Sequence, residues 1–313
     1  MTALRQLLCA APLLAALAVQ AQDADSTPSN PGPQALTGTL AQVHASGRIA
    51  LAYRDSSVPF SYLGAQGQPI GYSIELCKAL VRAVEVAVQR PLEIRWVSVT
   101  SATRMQAIVS GQADLECGST TSNLERQKTV AFSPTIFVAG TRLLVRKGAG
   151  IRDWRDLAHK QVVVTAGTTN EQVMRNLSQR LKLPMGLLTA PDHAHAFAQV
   201  QAGSADAFAT DDVLLYGLLA QTQTQTPGAA PRLAVVGDLL SYEPYAIMLR
   251  KDDPQLAKLV TDSLRVLARD GEIDRQYRRW FLQKLPGSGQ RLGLPMSAQL
   301  EAIIQSLAAA QVE

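Results

Sequence analysis

Short apolar runs and helical patterns alternate along most of the chain. The runs at 48–54 and 161–165 are rich in aliphatic and β-branched residues, as buried strands are, whereas 73–89 repeats apolar positions at helical spacing. Further strand-type segments lie at 92–100, 113–117, 141–147, 186–189, 205–210, 233–236 and 245–250. Helical segments separate many of these strands, and 254–282 is mostly helical in pattern. This alternation predicts an α/β fold with parallel sheet.

The alternation restarts after Gly148–Gly150, which divides the chain into two halves. No Pro/Gly-rich linker joins them. Instead, Thr141–Lys147 and Tyr245–Arg250 are predicted to be extended segments that run from one half into the other. Gln221–Pro231 is predicted to be a polar surface loop, and 297–311 a last helix.

The first residues have the features of a secretory signal. Leu7–Val19 is an apolar run, and small residues at Val19 and Ala21 predict a signal peptide at 1–21, with Ala24 as a second cleavage position. The run is short for a membrane anchor. Residues 22–39 are rich in Pro, Ser and Gly, which predicts a disordered leader.

Of the three cysteines, Cys9 lies in the predicted signal peptide, so the exported chain keeps Cys77 and Cys117. Export would permit a disulfide between these two. Cys77 lies on the apolar face of the helix predicted at 73–89, where a packed free thiol is the commoner outcome. We therefore expect Cys77 to be an unpaired core residue, and pairing with Cys117 stays an open alternative.

Composition excludes several classes of protein. A net charge of +4 over 313 residues, with no long Lys/Arg run, gives no footprint for nucleic acid. Hydrophobic residues make up 47% of the chain, which excludes general disorder, and no apolar stretch beyond the first residues suits a membrane-embedded protein. No nucleophile-elbow, zinc-binding, CxxC or phosphate-loop motif is present, so we expect no catalytic residue, metal or cofactor.

Polar residues instead cluster where predicted strands pass into helices, after Thr100, Cys117 and Thr165. Ser122 with Glu125, and Thr168 with Glu171, have capping-box spacing. Helix N-termini attract anions, and ligands of open α/β sheets lie at the carboxyl ends of strands. Together these turns predict a site for an anionic ligand.

Several motifs, in order along the chain, resemble the family 3 extracellular solute-binding proteins, the periplasmic receptors of polar amino-acid ABC importers, and within them the glutamate/aspartate-binding branch. They are found at 54–60, 71–73, 116–121, 125–128, 140–144 and 248–254. The resemblance implies the type II periplasmic-binding-protein fold, in which two α/β lobes are joined by two crossover hinge strands. Lobe one would be 40–142 plus 248–286, lobe two 143–247, and 287–313 a helical C-terminal extension.

The resemblance also implies roles for individual residues. Arg126 matches the arginine that holds the ligand α-carboxylate, where its planar fork suits the chemistry. Thr121 and Thr169 would donate to the same carboxylate. Asp211, helped by Ser119, matches the acid that takes the α-ammonium.

The resemblance implies a second anion pocket, because the charge at position 54 is opposite in sign to that in some relatives. Relatives that bind Lys, Arg or His carry an Asp where this chain has Arg54, and a side-chain carboxylate would require that inversion. Ser101, Arg104 and His193 would complete this pocket. Close relatives also carry a Cys near Ile247, and its absence here argues against a bridged Cys117.

The implied function is periplasmic binding of L-glutamate and/or L-aspartate by a monomer, with delivery to an inner-membrane ABC permease. Two alternatives stay open. One is a receptor for another polar amino acid such as Gln or Asn. The other is an enzyme on the same scaffold, a dehydratase of cyclic precursors, for which Asp211 and Asp212 are the candidate acids in the cleft.

Overall fold

The computed structural model describes residues 35–222 and 232–311, so the predicted signal peptide and most of the predicted leader lie outside the described residues. The strands are β1 (Arg48–Tyr53), β2 (Ser56–Ser57), β3 (Ser61–Leu63), β4 (Pro69–Ile70), β5 (Glu93–Ser98), β6 (Leu115–Glu116), β7 (Val130–Phe132), β8 (Phe137–Ala139), β9 (Thr141–Arg146), β10 (Gln161–Thr165), β11 (Gly186–Ala190), β12 (Ala207–Asp211), β13 (Leu233–Val236), β14 (Glu243–Tyr245) and β15 (Met248–Arg250).

The α-helices are α1 (Gly38–Ser46), α2 (Tyr72–Val88), α3 (Arg104–Val109), α4 (Leu124–Gln127), α5 (Thr169–Leu181), α6 (His193–Ala202), α7 (Asp212–Thr222), α8 (Pro254–Arg269), α9 (Glu272–Tyr277) and α10 (Ala298–Ala309). A 3₁₀ turn covers Trp154–Leu157, and a π-helical turn covers Arg278–Leu282. Helix α1 starts at Gly38, inside the segment predicted to be leader.

Two five-stranded sheets organise the chain. The first has the order β5-β1-β6-β15-β7 and the second β11-β10-β12-β9-β13. Three neighbouring strands in each sheet are parallel, as the alternation predicted. β15 pairs antiparallel with β6, and β9 pairs antiparallel with β12. These two strands enter their sheets directly from the other half of the chain, and without a crossover helix a strand arrives in the opposite direction.

Two paired strands connect the sheets. β8 pairs antiparallel with β14, placing Phe137 opposite Tyr245. Gly140 alone separates β8 from β9, and Ala246 and Ile247 separate β14 from β15. The segment 245–250, expected to be one strand, therefore belongs to two strands. The break lies where the chain leaves the connecting strand β14 and enters β15 of the first sheet. We call the first sheet with its helices the first layer, and the second sheet with its helices the second layer.

An aromatic cluster anchors the connecting strands to the first layer. Phe60 packs edge-on against Phe137 and Tyr245, with ring centroids 4.9 and 5.0 Å apart. Phe281 stacks on Phe137 at 4.9 Å. All four rings are buried, so the strand β14 is fixed to the first layer by its last side chain.

Candidate functional site

One cavity gathers most of the predicted site residues. It lies where the carboxyl ends of parallel strands of both sheets meet. The residues that line it are Ser101, Arg104, Ser119, Thr121, Thr168, Thr169, Asn170, His193, Asp211 and Leu214. Arg54 and Arg126 adjoin this lining, because Arg54 bonds Ser101 and Arg126 bonds the carbonyl of Thr121. The structure thus brings all the predicted residues together.

Helix starts supply part of the cavity wall. Thr168 caps α5 by accepting a hydrogen bond from the Glu171 backbone N–H, as its spacing predicted. The prediction for Ser122 was wrong, because Asn123 caps α4 and accepts from the Arg126 backbone N–H. An asparagine carbonyl serves this position as well as a serine hydroxyl does.

Arg54 and Arg104 form one cationic end of the cavity, and we call it the Arg54 end. Both side chains are almost completely buried, at 1% and 2% exposure. Arg54 donates through Nη2 to Ser101 Oγ at 2.6 Å. Burial, and then the neighbouring charge of Arg104, lower the pKa of Arg54 to about 9. Burial likewise lowers the pKa of Arg104.

Two donors at the Arg54 end, Arg54 Nη1 and Arg104 Nε, have no hydrogen-bond partner within the described part of the chain. The same is true of Ser57 Oγ, Ser119 Oγ and Glu116 Oε1. Buried donors without acceptors are costly, and an anion bound by the two guanidinium groups would satisfy both. The chemistry of this end suits a carboxylate.

His193 lies beside the two arginines and is 2% exposed. Its Nδ1 is 2.8 Å from Thr165 Oγ1, and burial with the charges of Arg54 and Arg104 lowers the pKa of His193 well below its usual value. The imidazole is therefore neutral, so it can contribute a hydrogen bond but no charge.

Arg126 forms the opposite cationic end, the Arg126 end. Its guanidinium donates through Nη1 to the Thr121 carbonyl at 2.8 Å and through Nη2 to the Gly167 carbonyl at 3.3 Å. The second bond reaches from the first layer to the loop before α5 in the second layer. Burial, and then Arg104, lower the pKa of Arg126 to about 9.

The structure adds Glu243 to the Arg126 end, which the sequence interpretation missed. Its Oε2 accepts hydrogen bonds from Thr121 Oγ1 and Thr169 Oγ1, each at 2.7 Å. Glu243 is 3% exposed and comes from the connecting strand β14. No local motif marks it, because its partners lie 122 and 74 residues away along the chain.

Asp211 is held in place between the two ends. Its Oδ1 accepts from Asn170 Nδ2 at 2.6 Å, and its Oδ2 accepts from the hydroxyl of Tyr245. Asn170 also donates to Thr141 Oγ1 at 2.7 Å. Burial, and then Glu243, raise the pKa of Asp211 to about 7. A cationic group such as an ammonium would favour its ionised form.

Glu116 is a second acid that the interpretation did not assign to the site. It is fully buried beneath the Arg54 end, and its Oε2 accepts from Thr120 Oγ1 at 2.6 Å. A Cβ at Gly118 would lie 2.2 Å from Glu116 Oε1 and 3.0 Å from Arg54 Cγ. The glycine therefore allows the carboxylate and the arginine to approach each other.

The expectation of a free Cys77 thiol was wrong. Cys77 and Cys117 form a disulfide that joins α2 to the turn directly after Glu116. Four residues earlier on α2, Ser73 Oγ donates to the Gly118 carbonyl at 2.7 Å. The apolar helix face predicted burial of Cys77 correctly, but the sheet brings Cys117 onto that same face, and only this proximity reveals the pair.

Residues 49–283 match the profile of the bacterial extracellular solute-binding proteins, family 3. The chain belongs to this family. It is 42% identical over 273 residues to an L-glutamate/L-aspartate-binding protein of Pseudomonas aeruginosa, covering 87% of this chain and 89% of that one. A glutamate/aspartate import solute-binding protein of Salmonella typhimurium is 37% identical, with coverage of 94% and 96%.

The fold is similar to that of a solved structure of an ancestral arginine-binding protein bound to arginine. The TM-score is 0.67 at 27% identity, over 75% of this chain and 98% of that one. The fold class predicted from the sequence is thereby confirmed. In the described ranges of this family 3 protein, no helix is long and apolar enough to cross a membrane, and no cluster of His, Cys, Asp or Glu could hold a metal ion.

Proposed function

We propose that this protein binds L-glutamate and/or L-aspartate and delivers the ligand to an inner-membrane ABC permease. The observation that supports this most directly is the pairing of two buried cationic ends, around Arg126 and Arg54, with the acid Asp211 between them in one cavity. An acidic amino acid carries the complementary groups, two carboxylates and one ammonium.

Each residue takes the role that the family resemblance implies. Arg126 faces the α-carboxylate at the end where Thr121 and Thr169 lie, and Asp211 with Ser119 faces the α-ammonium. The hydroxyl groups of Thr121 and Thr169 donate to Glu243, so the further donors from these turns are backbone N–H groups. The side-chain carboxylate is held by the Arg54 end, whose members are Arg54, Ser101, Arg104 and His193. The relatives described above are binding proteins rather than enzymes, which favours this function over a dehydratase.

Ligand would be trapped by closure of two lobes, 40–142 plus 248–286 and 143–247, with 287–313 as a C-terminal extension. We further propose that residues 1–21 direct export to the periplasm and that the mature protein is a monomer. Intact-mass measurement of periplasmic material should then give Gln22 or Asp25 as the first residue. Material that retains Met1 would contradict export by cleavage.

A thermal-shift screen of the mature chain against the twenty amino acids tests the ligand. A ligand at 100 times its Kd adds about 2.7 kcal/mol to the free energy of unfolding, so glutamate and aspartate should give the largest shifts. A larger shift with glutamine or asparagine would favour the neutral-amide receptor. The absence of a shift with any amino acid would overturn the proposal.

A further inference from the structure

Glu243 is the carboxylate that gathers hydroxyl groups from both layers. Thr121 follows β6 in the first sheet and forms a β-bridge with Tyr245. Thr169 is the first residue of α5, which packs on β10 and β12 of the second sheet. One oxygen of Glu243 accepts from both hydroxyls at 2.7 Å, so this single atom joins the two layers.

The attachment of Glu243 is not symmetrical. β14 is paired with β8, and the buried ring of Tyr245 holds it in the aromatic cluster of the first layer. Glu243 and Thr121 therefore move with the first layer, whereas Thr169 moves with the second. If the layers separate, the bond between Glu243 and Thr169 must break, as must the bond from the Tyr245 hydroxyl to Asp211 on β12. The bond between Glu243 and Thr121 need not.

The start of α5 touches the first layer at other points too. Gly167 accepts from Arg126, and a Cβ at Gly167 would lie 2.7 Å from the Ala102 Cα. The Arg126–Gly167 and Glu243–Thr169 bonds each have one charged partner, and such bonds are about twice as strong as neutral ones. The Glu243–Thr169 bond is the shorter, at 2.7 Å against 3.3 Å, so it has the larger weight in holding α5 closed.

We propose that Glu243 is a positioning residue that latches the second layer onto the first and thereby presets the closed arrangement of the binding site. The proposal rests on the proposed amino-acid ligand only for its effect on affinity. The apparent Kd equals the intrinsic Kd divided by the fraction of molecules in the competent state, so loss of the latch weakens binding without removal of a ligand contact.

The test is a distance measurement in the ligand-free protein. Spin labels at Val86→Cys on α2 and Gln179→Cys on α5, introduced into the chain from Gln22 onward, report the separation of the layers. Both positions are exposed, and Cys77 and Cys117 are paired with each other. Glu243→Ala and Thr169→Val should each shift the ligand-free distance distribution toward longer values, and the double variant should add little.

Two matched variants separate a latch from a general loss of packing. Thr121→Val removes a hydroxyl from the same oxygen of Glu243, but the Glu243–Thr169 bond stays. The Thr121 hydroxyl also lies 3.5 Å from the Thr169 hydroxyl, at the limit of a hydrogen bond, so this variant should change the ligand-free distance far less than Thr169→Val does. Glu243→Gln keeps an acceptor oxygen and should restore much of the closed distance. If Glu243→Ala does not fold, the variants Thr169→Val, Thr121→Val and Glu243→Gln still test the latch.

Affinity gives the second readout. Calorimetry should show about tenfold weaker glutamate binding for Glu243→Ala, in line with the loss of one charge-assisted hydrogen bond from the closed state. An unchanged ligand-free distance, or binding as tight as in the unsubstituted protein, would overturn the latch. If the unsubstituted protein binds no amino acid, the proposed function fails, while the distance measurement still decides the latch.

Discussion

The two cationic ends of the cavity differ in how their donors are satisfied. At the Arg126 end, the guanidinium meets two backbone carbonyls, and the hydroxyls of Thr121 and Thr169 meet Glu243. At the Arg54 end, Arg54 Nη1 and Arg104 Nε have no acceptor within residues 35–222 and 232–311. The guanidinium groups of both ends are buried, with Arg54 and Arg104 at 1% and 2% exposure and Arg126 at 8%.

This difference separates two tasks of one cavity. Donors that already have protein acceptors fix the geometry of their end and tie the layers together. Buried donors without acceptors cost free energy that a bound acceptor recovers, and a carboxylate recovers most because its bonds to a guanidinium are charge-assisted. We therefore expect ligand selectivity to depend most on the Arg54 end, and closure to depend most on the Arg126 end.

The largest effect is expected from Arg54→Ala. Truncating one member of a desolvated charge pair typically costs about 2–5 kcal/mol, so glutamate binding should weaken by roughly 30-fold to several thousand-fold. Glutamine places no charge at this end and should lose much less. Calorimetric titration with both ligands measures the difference, and equal losses for the two would place the selectivity elsewhere.

The disulfide between Cys77 and Cys117 holds the turn next to the Arg54 end. Its removal therefore tests, through the free energy of unfolding, how firmly this end is fixed. The disulfide closes a 40-residue separation, and the double variant Cys77→Ala, Cys117→Ala should lower the free energy of unfolding by about 2–4 kcal/mol. Urea unfolding measures this. The reduced unsubstituted protein is the control and should match the double variant, whereas equal stability of the oxidised and reduced forms would contradict this role of the disulfide.

Arg126→Ala should affect all amino-acid ligands alike, since each carries an α-carboxylate. We expect a smaller loss, about 10- to 100-fold, because the start of α5 also attracts an anion. In calorimetric titrations, the affinities for glutamate and for glutamine should fall by about the same factor. A loss confined to glutamate would mean that the two ends have been assigned the wrong way round.

The smallest effect concerns pH. Asp211 must ionise to meet an ammonium, and its pKa is raised to about 7 by burial and by Glu243. Glutamate affinity should therefore rise by up to about tenfold between pH 6 and pH 8, as the carboxyl loses its proton. Stability of the ligand-free protein runs the other way: the contribution of Asp211 is fully present below the unfolded pKa near 4 and is lost as pH rises toward 7.

Asp211→Asn should flatten both profiles, while Asp212→Asn is the matched control. Asp212 is the next residue and also has a pKa raised by burial, but it bonds the backbone N–H groups of Val213 and Gly140. Its amide variant should keep the pH slope of binding. A slope that survives in Asp211→Asn would assign the titration to another group.

Local pattern and local chemistry account for much of what was predicted correctly. The β-branched run of β10 and the apolar face of α2 need only nearest neighbours to favour a strand and a helix, and both lie where the pattern placed them. Arg54 follows β1 and Asp211 ends β12, so strand direction places each at the carboxyl edge of its own sheet, where ligands of such sheets lie.

Contacts distant in sequence were decided by tertiary structure alone. Glu243 joins Thr121 and Thr169, and Cys77 meets Cys117, only because two sheets and a helix bring these segments together. The antiparallel direction of β9 and β15 has the same origin, since each strand enters a sheet built by other segments. A side chain's type restricts which partners it can take, but the distance to any one partner is set by the packing of the whole chain.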